Sequence, residues 1–360
     1  MMKILCSVLI VIFITACGPD AVKRASEDPW SSKNHSIKSM NESANMAVNP
    51  MVVDRNTVKQ SALALLQQSA ESTNPRIRAN AIEALRYAPN AILESVLRFA
   101  LGDVNRGVRF VAAMMIGEKK LCSLSMFLEP LLLDDSESVQ AAALYSLYRC
   151  GSKVDLNPIA QMLESGNPEL QGNAAMVLGL MGNKSAVRLI RDALKIPQDL
   201  ITPIRRRLVN LQMAEALILL GERNELEVIR AAIFSSAQEA EVTALACQIA
   251  GRLGDVEVVS TLESITMSLN RYPDEIRLVA ATSLAEISPL RVPLELVLSF
   301  SSNDSANIRS QCATALGVQG NQLSLGPLAL MLTDVDQLVQ ISAAGAILRI
   351  DNGDSVSVSD

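Results

Sequence analysis

In 360 residues the sequence has one histidine, one tryptophan and only 3 % aromatic side chains. A single imidazole leaves no material for a His-based metal centre. A formal net charge of −6 offers no basic surface with which to hold phosphates, so nucleic-acid partners are excluded as well. The first apolar run, Ile4 to Ile14, is 11 residues long and too short to span a bilayer. What the chain has in quantity is aliphatic: 49 % of it is hydrophobic and 19 % charged, the composition of a large Ala/Leu-rich helical core.

The apolar run follows Lys3 and closes on Ile14-Thr15-Ala16-Cys17. This ending resembles the lipobox of bacterial lipoproteins. The resemblance implies a diacylglyceryl group on the Cys17 sulfur, cleavage before that residue and acylation of the new amino terminus; the alternative is an ordinary secreted protein. Several acyl chains, at roughly 0.8 kcal/mol per buried CH₂, would anchor the chain stably. Gly18, rather than Asp, follows the cysteine, which in family terms implies the outer membrane of a diderm host, or otherwise the outer face of the cell membrane. The expected partition is signal peptide 1–16, lipidated Cys17 and disordered tether 17–56, a helical array 57–351 and a disordered tail 352–360.

The tether is rich in Ser, Asn and Lys, lacks periodicity, and its charges cancel. As a flexible coil it reaches roughly 35 Å, enough to hold a folded part clear of the head groups. The only histidine, His35, lies in it without a second metal ligand nearby.

From there one unit repeats. An apolar residue opens an Ala-rich helix at Ile77, Val108, Val139, Leu170, Val209, Val242, Ile276, Ile308 and Val339. The fifth position of each unit is small or apolar and the ninth is almost always a large aliphatic, which makes one buried stripe. Gly151, Gly182, Gly221, Gly254 and Gly320 take the thirteenth position, where a helix C-terminus needs a left-handed residue. Before each such helix runs a shorter apolar-periodic stretch, joined to it by polar turns such as Asp134-Asp135-Ser136 and Asn303-Asp304-Ser305. The expected fold class is therefore all-α, an α-solenoid of about nine helical hairpins in a right-handed superhelix. Segments such as Asn74-Pro75-Arg76-Ile77-Arg78-Ala79-Asn80-Ala81-Ile82 resemble the short HEAT repeat of the phycobilin-lyase-like type. The resemblance covers about residues 57–351; it speaks to fold, since solenoids serve many partners.

Arg78, Arg109, Arg277 and Arg309 follow the opening residue. The pattern implies a ladder of Arg–Asp hydrogen bonds between neighbouring repeats, the other reading being an anion site. With no histidine after position 35, the chemistry of HEAT-repeat di-iron hydroxylases is excluded, and no constellation supports a lyase. We expect no enzyme, no cofactor and no metal, and read the chain as a membrane-anchored, non-catalytic binding scaffold or assembly factor of the bacterial cell envelope. A catalytic HEAT protein acting on a small ligand and a structural envelope protein remain as alternatives.

Two surfaces are expected to meet a protein or peptide partner. Positions four, seven and eleven of the repeated helix fall opposite the core stripe, on the concave wall. They are apolar in repeats two to four, where Val111, Met114, Tyr145, Met176 and Leu180 are expected to form an exposed patch able to accept a partner helix; burial by superhelical curvature is the competing reading. Arg205, Arg206 and Arg207 stand in a first helical turn, at the positive end of the dipole, where an acidic group of this chain or of a partner must answer them. Cys122 and Cys150 come almost opposite each other in the third hairpin, within reach of a disulfide, whereas Cys247 and Cys312 are two repeats apart and read as buried small hydrophobes.

Overall fold

A computed structural model describes residues 54–196 and 202–353. The signal peptide, Cys17, nearly all of the tether and the end of the tail lie outside the described residues. Eighteen α-helices form nine hairpins: α1 (Arg55–Ser69) and α2 (Pro75–Ala84); α3 (Asn90–Ala100) and α4 (Arg106–Lys119); α5 (Ser125–Leu128) and α6 (Glu137–Arg149); α7 (Asn157–Glu164) and α8 (Pro168–Met181); α9 (Ala186–Ala193) and α10 (Pro203–Leu219); α11 (Leu226–Ala232) and α12 (Ala240–Leu253); α13 (Val259–Met267) and α14 (Asp274–Ile287); α15 (Leu294–Leu298) and α16 (Ala306–Gln319); α17 (Leu325–Met331) and α18 (Gln337–Asp351). The fold is thus the all-α array of nine hairpins that the periodicity predicts. It begins three residues early: Asp54 caps α1 by accepting from the Asn56 and Thr57 amides, so Asp54, Arg55 and Asn56 belong to the fold rather than the tether.

Local chemistry sets the helix ends. Asn74, Asn105, Asn167, Thr202 and Asp336 cap the second helices of their hairpins with side-chain oxygens. At the other end all five thirteenth-position glycines have φ between 65° and 108°. In the second repeat that place falls to Lys120, which holds φ 53° without glycine's freedom. From the second hairpin on the first helices are the shorter ones, and α5 is a single turn that passes into a 3₁₀ segment containing Pro130.

The nine second helices, α2 to α18 by even number, each pack against the next, while the first helices scarcely touch one another. The second helices therefore form the inner wall. This wall does not stay open. α18 packs on both α1 and α2, turning the expected superhelix into a closed ring. Nine units closing a circle each turn by about 40°. At the seam Arg55 Nε and Lys59 Nζ reach the two Asp351 oxygens at 2.9 and 2.6 Å, the Asn352 amide donates to the Tyr87 carbonyl, and the Arg349 guanidinium lies 5.6 Å from the Tyr87 ring centre.

How closely inner helices approach is decided at the tenth position of the repeat. Gly117, Gly179, Gly251, Ala285 and Gly317 stand there in repeats two, four, six, seven and eight, and these five helices make the tightest contacts with their successors. A Cβ on Gly317 would sit 2.7 Å from the Ala346 Cα, and one on Gly179 would sit 2.8 Å from the Ala216 Cα. Where Arg86, Tyr148, Ile218 or Leu348 takes the position, the next inner helix stands further off.

Candidate functional site: the concave wall

In repeats two to four the wall is packed shut. Val111, Met114 and Tyr145 are 1 %, 0 % and 1 % exposed, and Met176 and Leu180 are half-buried. The expected exposed patch is corrected accordingly: Val111, Met114 and Tyr145 are core, and Met176 and Leu180 pack half-buried against it. Gly117 supplies the physical reason, since it admits the Tyr145 ring to within 2.6 Å of where a Cβ would be. Ser146 then clamps α6 to α4 by donating to the Ala113 carbonyl at 2.5 Å. Just beyond, Arg86 Nη2 and Glu118 Oε2 pair at 2.6 Å in a buried setting; burial outweighs the guanidinium and raises the carboxyl of Glu118, as it does that of neighbouring Glu83.

In repeats six to eight the same positions leave a cavity of about 360 Å³. Ala244, Thr282 and Thr314 take the places that large side chains fill elsewhere. Gln248 and Arg252 from α12, Glu286 from α14 and Gln311 from α16 complete a polar side, facing Ile276, Val279 and Val318. The Arg252 guanidinium is held by the Glu215 carboxylate at 2.9 and 2.8 Å. Among the described residues Glu286 accepts no hydrogen bond and forms no ion pair. Burial pushes it up to about 7, against the pull of Arg252 and Arg349 and with the repulsion of Glu215. Gln311 Oε1 is buried without a partner. Thr282 and Thr314 donate their hydroxyl protons to the Leu278 and Ser310 carbonyls, so they present lone pairs to the cavity.

The arginines singled out by position are structural. Arg78 holds Asp103 at 2.7 and 2.6 Å, Arg109 holds Asp134 at 2.7 and 2.8 Å, and Arg309 holds Asp334 at 2.8 Å twice. Each also donates to carbonyls of its own turn, which makes the ladder between repeats. Arg277 departs from it: the next repeat has no Asp in register, so it pairs with Asp274 and lies over the Phe300 ring. Of the Arg205–Arg207 cluster, Arg207 is answered within the chain by Glu239 and Ser235. Arg205 is half-buried and Arg206 exposed at the start of α10, next to 197–201, which lie outside the described residues. Cys122 and Cys150 are joined in a disulfide with Cα atoms 5.4 Å apart. Cys247 and Cys312 are free and buried, their thiols pushed up to about 12. Among the described residues no group of three or more His, Cys, Asp or Glu is placed to hold a metal, and no helix is long and apolar enough to cross a membrane.

Residues 62–148 match the model of HEAT repeats. No curated relative matches the chain by sequence. Solved structures with a similar arrangement include an engineered protein, 17 % identical with a TM-score of 0.33, covering 84 % of this chain and 97 % of that one. The CpcE–CpcF complex of phycocyanin lyase from Nostoc is 15 % identical with a TM-score of 0.36, covering 69 % and 91 %. Human deoxyhypusine hydroxylase in complex with glycerol is 14 % identical with a TM-score of 0.35, covering 82 % and 98 %. Identities this low speak of fold alone. The cavity itself was missed by sequence reasoning, which looked for large apolar residues on the wall. The usable signal was the reverse: polar residues at the seventh position of three successive repeats, Gln248, Thr282 and Thr314, the last two of them small.

Proposed function

We propose that this protein is a lipid-anchored binding protein of the bacterial cell envelope, without catalysis, whose HEAT ring receives its partner at the concave wall of repeats six to eight. The observation that carries the binding reading is the cavity there, of a size for one small ligand or one inserted side chain and lined by apolar walls with a few polar groups. Export is supported by the N-terminal segment ending at Cys17 and by the Cys122–Cys150 disulfide, which suits an oxidising compartment. In this reading the tether lets the ring stand off the membrane.

Two experiments test it. Cys17→Ser should move the protein from the membrane fraction to the soluble one; an unchanged fraction defeats the anchor. Cross-linking in intact cells should give a defined partner that is lost when Thr314→Trp fills the cavity with the ring still folded; a partner retained at full yield places binding elsewhere. Glu286 favours a second reading, catalysis on a small ligand, because a carboxyl poised near neutrality in a cavity is a usable acid or base. Turnover of a bound ligand, abolished by Glu286→Gln, would establish that reading instead.

A further inference from the structure

The cavity does more than offer space; its chemistry selects a sign of charge. Its lining has three carboxylates, Glu241, Glu275 and Glu286, against one guanidinium, Arg252, which Glu215 already neutralises. Glu241 and Glu275 are exposed at the mouth and Glu286 is half-buried. The cavity runs along α12 from Glu241 to Arg252, roughly 16 Å at 1.5 Å per residue. Among its lining are acceptors: the Glu286 carboxyl and the lone pairs of Thr282 and Thr314, whose protons are spent on backbone carbonyls. One flank is hydrocarbon, from Ala244, Ile276 and Val279.

A long, acidic-mouthed slot with hydrocarbon on one flank and unsatisfied acceptors within is complementary to a cation at the end of an apolar stem. Resting on the reading of this cavity as the binding site, we propose that its ligand is an alkylammonium group, carried either by a free amine or by a lysine side chain of a partner. The ammonium would donate to Glu286 and a threonine oxygen, while its methylenes lie on Ile276 and Val279. A carboxylate or phosphate of the same length would meet three carboxyl groups and a single guanidinium already engaged by Glu215. The mouth adjoins a second pocket of about 220 Å³ that shares Ala240, Pro273 and Ile276 and adds Phe234 and Tyr272, a place for the backbone that a lysine would bring with it.

Binding should also move a proton. Glu286 faces Arg252 on α12, Glu215 on α10 and Arg349 on α18. With their balance it holds its proton part of the time at neutral pH, and an arriving ammonium displaces that proton. Affinity for the amine should therefore rise as pH goes from 6 to 8.

The test uses the mature chain with Cys17→Ser in solution, and calorimetric titration with hexylammonium, hexanol, hexanoate and N-acetyl-lysine methylamide. Hexylammonium should bind at least tenfold more tightly than hexanol, and hexanoate should not bind. Glu286→Gln should lower amine affinity at least tenfold with unchanged circular dichroism; Thr314→Leu, which narrows the slot, provides a second variant should the first fail to fold. Hexanoate binding as tightly as the ammonium, or an amine affinity indifferent to both variants, overturns the proposal. Tighter binding of the lysine derivative, weakened by Phe234→Ser, assigns the ammonium to a partner's lysine; tighter binding of hexylammonium, indifferent to Phe234→Ser, assigns it to a free amine. Loss of amine binding with cellular cross-linking intact refutes the alkylammonium as the partner's handle while leaving the scaffold reading in place.

Discussion

Repeats two to four and repeats six to eight are built on one template and end in opposite states. On the wall of the first group stand Met114, Tyr145 and Met176; on that of the second stand Gln248, Thr282 and Thr314 at the same repeat position. In the first group Met114 and Tyr145 are buried, and the second group leaves a cavity of about 360 Å³. In both, a tenth-position glycine draws neighbouring inner helices together, so helix spacing is not the cause. Side-chain volume at one position decides whether a piece of the wall is core or site. A closed ring makes this sharp, because its lumen is finite and large side chains pointed into it have no solvent to retreat to.

The most damaging way to break the comparison is to treat the packed side as a surface. Changing Met114, Tyr145 and Met176 together to Ser should remove more than about 5 kcal/mol, enough to abolish the cooperative melt, whereas Thr282→Ala on the open side should change stability by less than about 1 kcal/mol. A triple variant that melts normally would mean that the second group, not the first, is the exception.

The packed side is also stapled. Opening the Cys122–Cys150 bridge by Cys150→Ser should cost about 3 to 4 kcal/mol for a loop of its size. Alkylation without reductant, read by mass spectrometry, should find neither of these two thiols and, after unfolding, both Cys247 and Cys312.

Acid–base behaviour sharpens the contrast further. Glu286 folds with its carboxyl pushed up to about 7, so its contribution is present below its ordinary value near 4.5 and is lost as pH rises through 7, a change of at most about 3 kcal/mol. Asp103, Asp134 and Asp334 are lowered by hydrogen bonds from the arginine ladder, and their contribution is lost as pH falls below 3.8. The melting temperature should therefore peak near pH 5 and fall toward pH 8. Glu286→Gln should flatten that fall and stabilise the ring at pH 8. Glu118→Gln should destabilise it above pH 7, where buried Arg86 loses the charge it is paired with, and matter less at pH 5, where the raised carboxyl is already neutral.

The smallest expected effect is a gain. Lys120→Gly relieves a left-handed backbone that other repeats assign to glycine and should raise stability by about 0.5 to 1 kcal/mol. It should leave ligand binding in the other half of the ring unaltered, as titration of the variant would check.

Much of this was legible in advance. The apolar first, fifth and ninth positions of each unit gave the inner helices, polar turns gave the joints before them, and glycine at the thirteenth position gave the stops. These are local matters, decided within a turn or two of helix. The Arg–Asp ladder was readable because it joins fixed positions of adjacent repeats, 25 residues apart. The candidate site was not readable in this way. Angles around one helix placed Met114 and Tyr145 opposite the core stripe, and that placement holds; what it omitted is that the next inner helix comes near enough to cover them.

The sequence by itself determined that the chain forms nine helical hairpins, where each helix begins and ends, and which stripe each buries, because hydrogen bonding, capping and hydrophobic periodicity act over a few residues. Only the tertiary structure decided that the ends meet at Asp351, Arg55 and Lys59, and which part of the concave wall is filled. Closure is a sum over all nine interfaces, each set by small differences in helix approach. A few degrees per repeat separate an open superhelix from a ring, and no single position in the sequence encodes that sum.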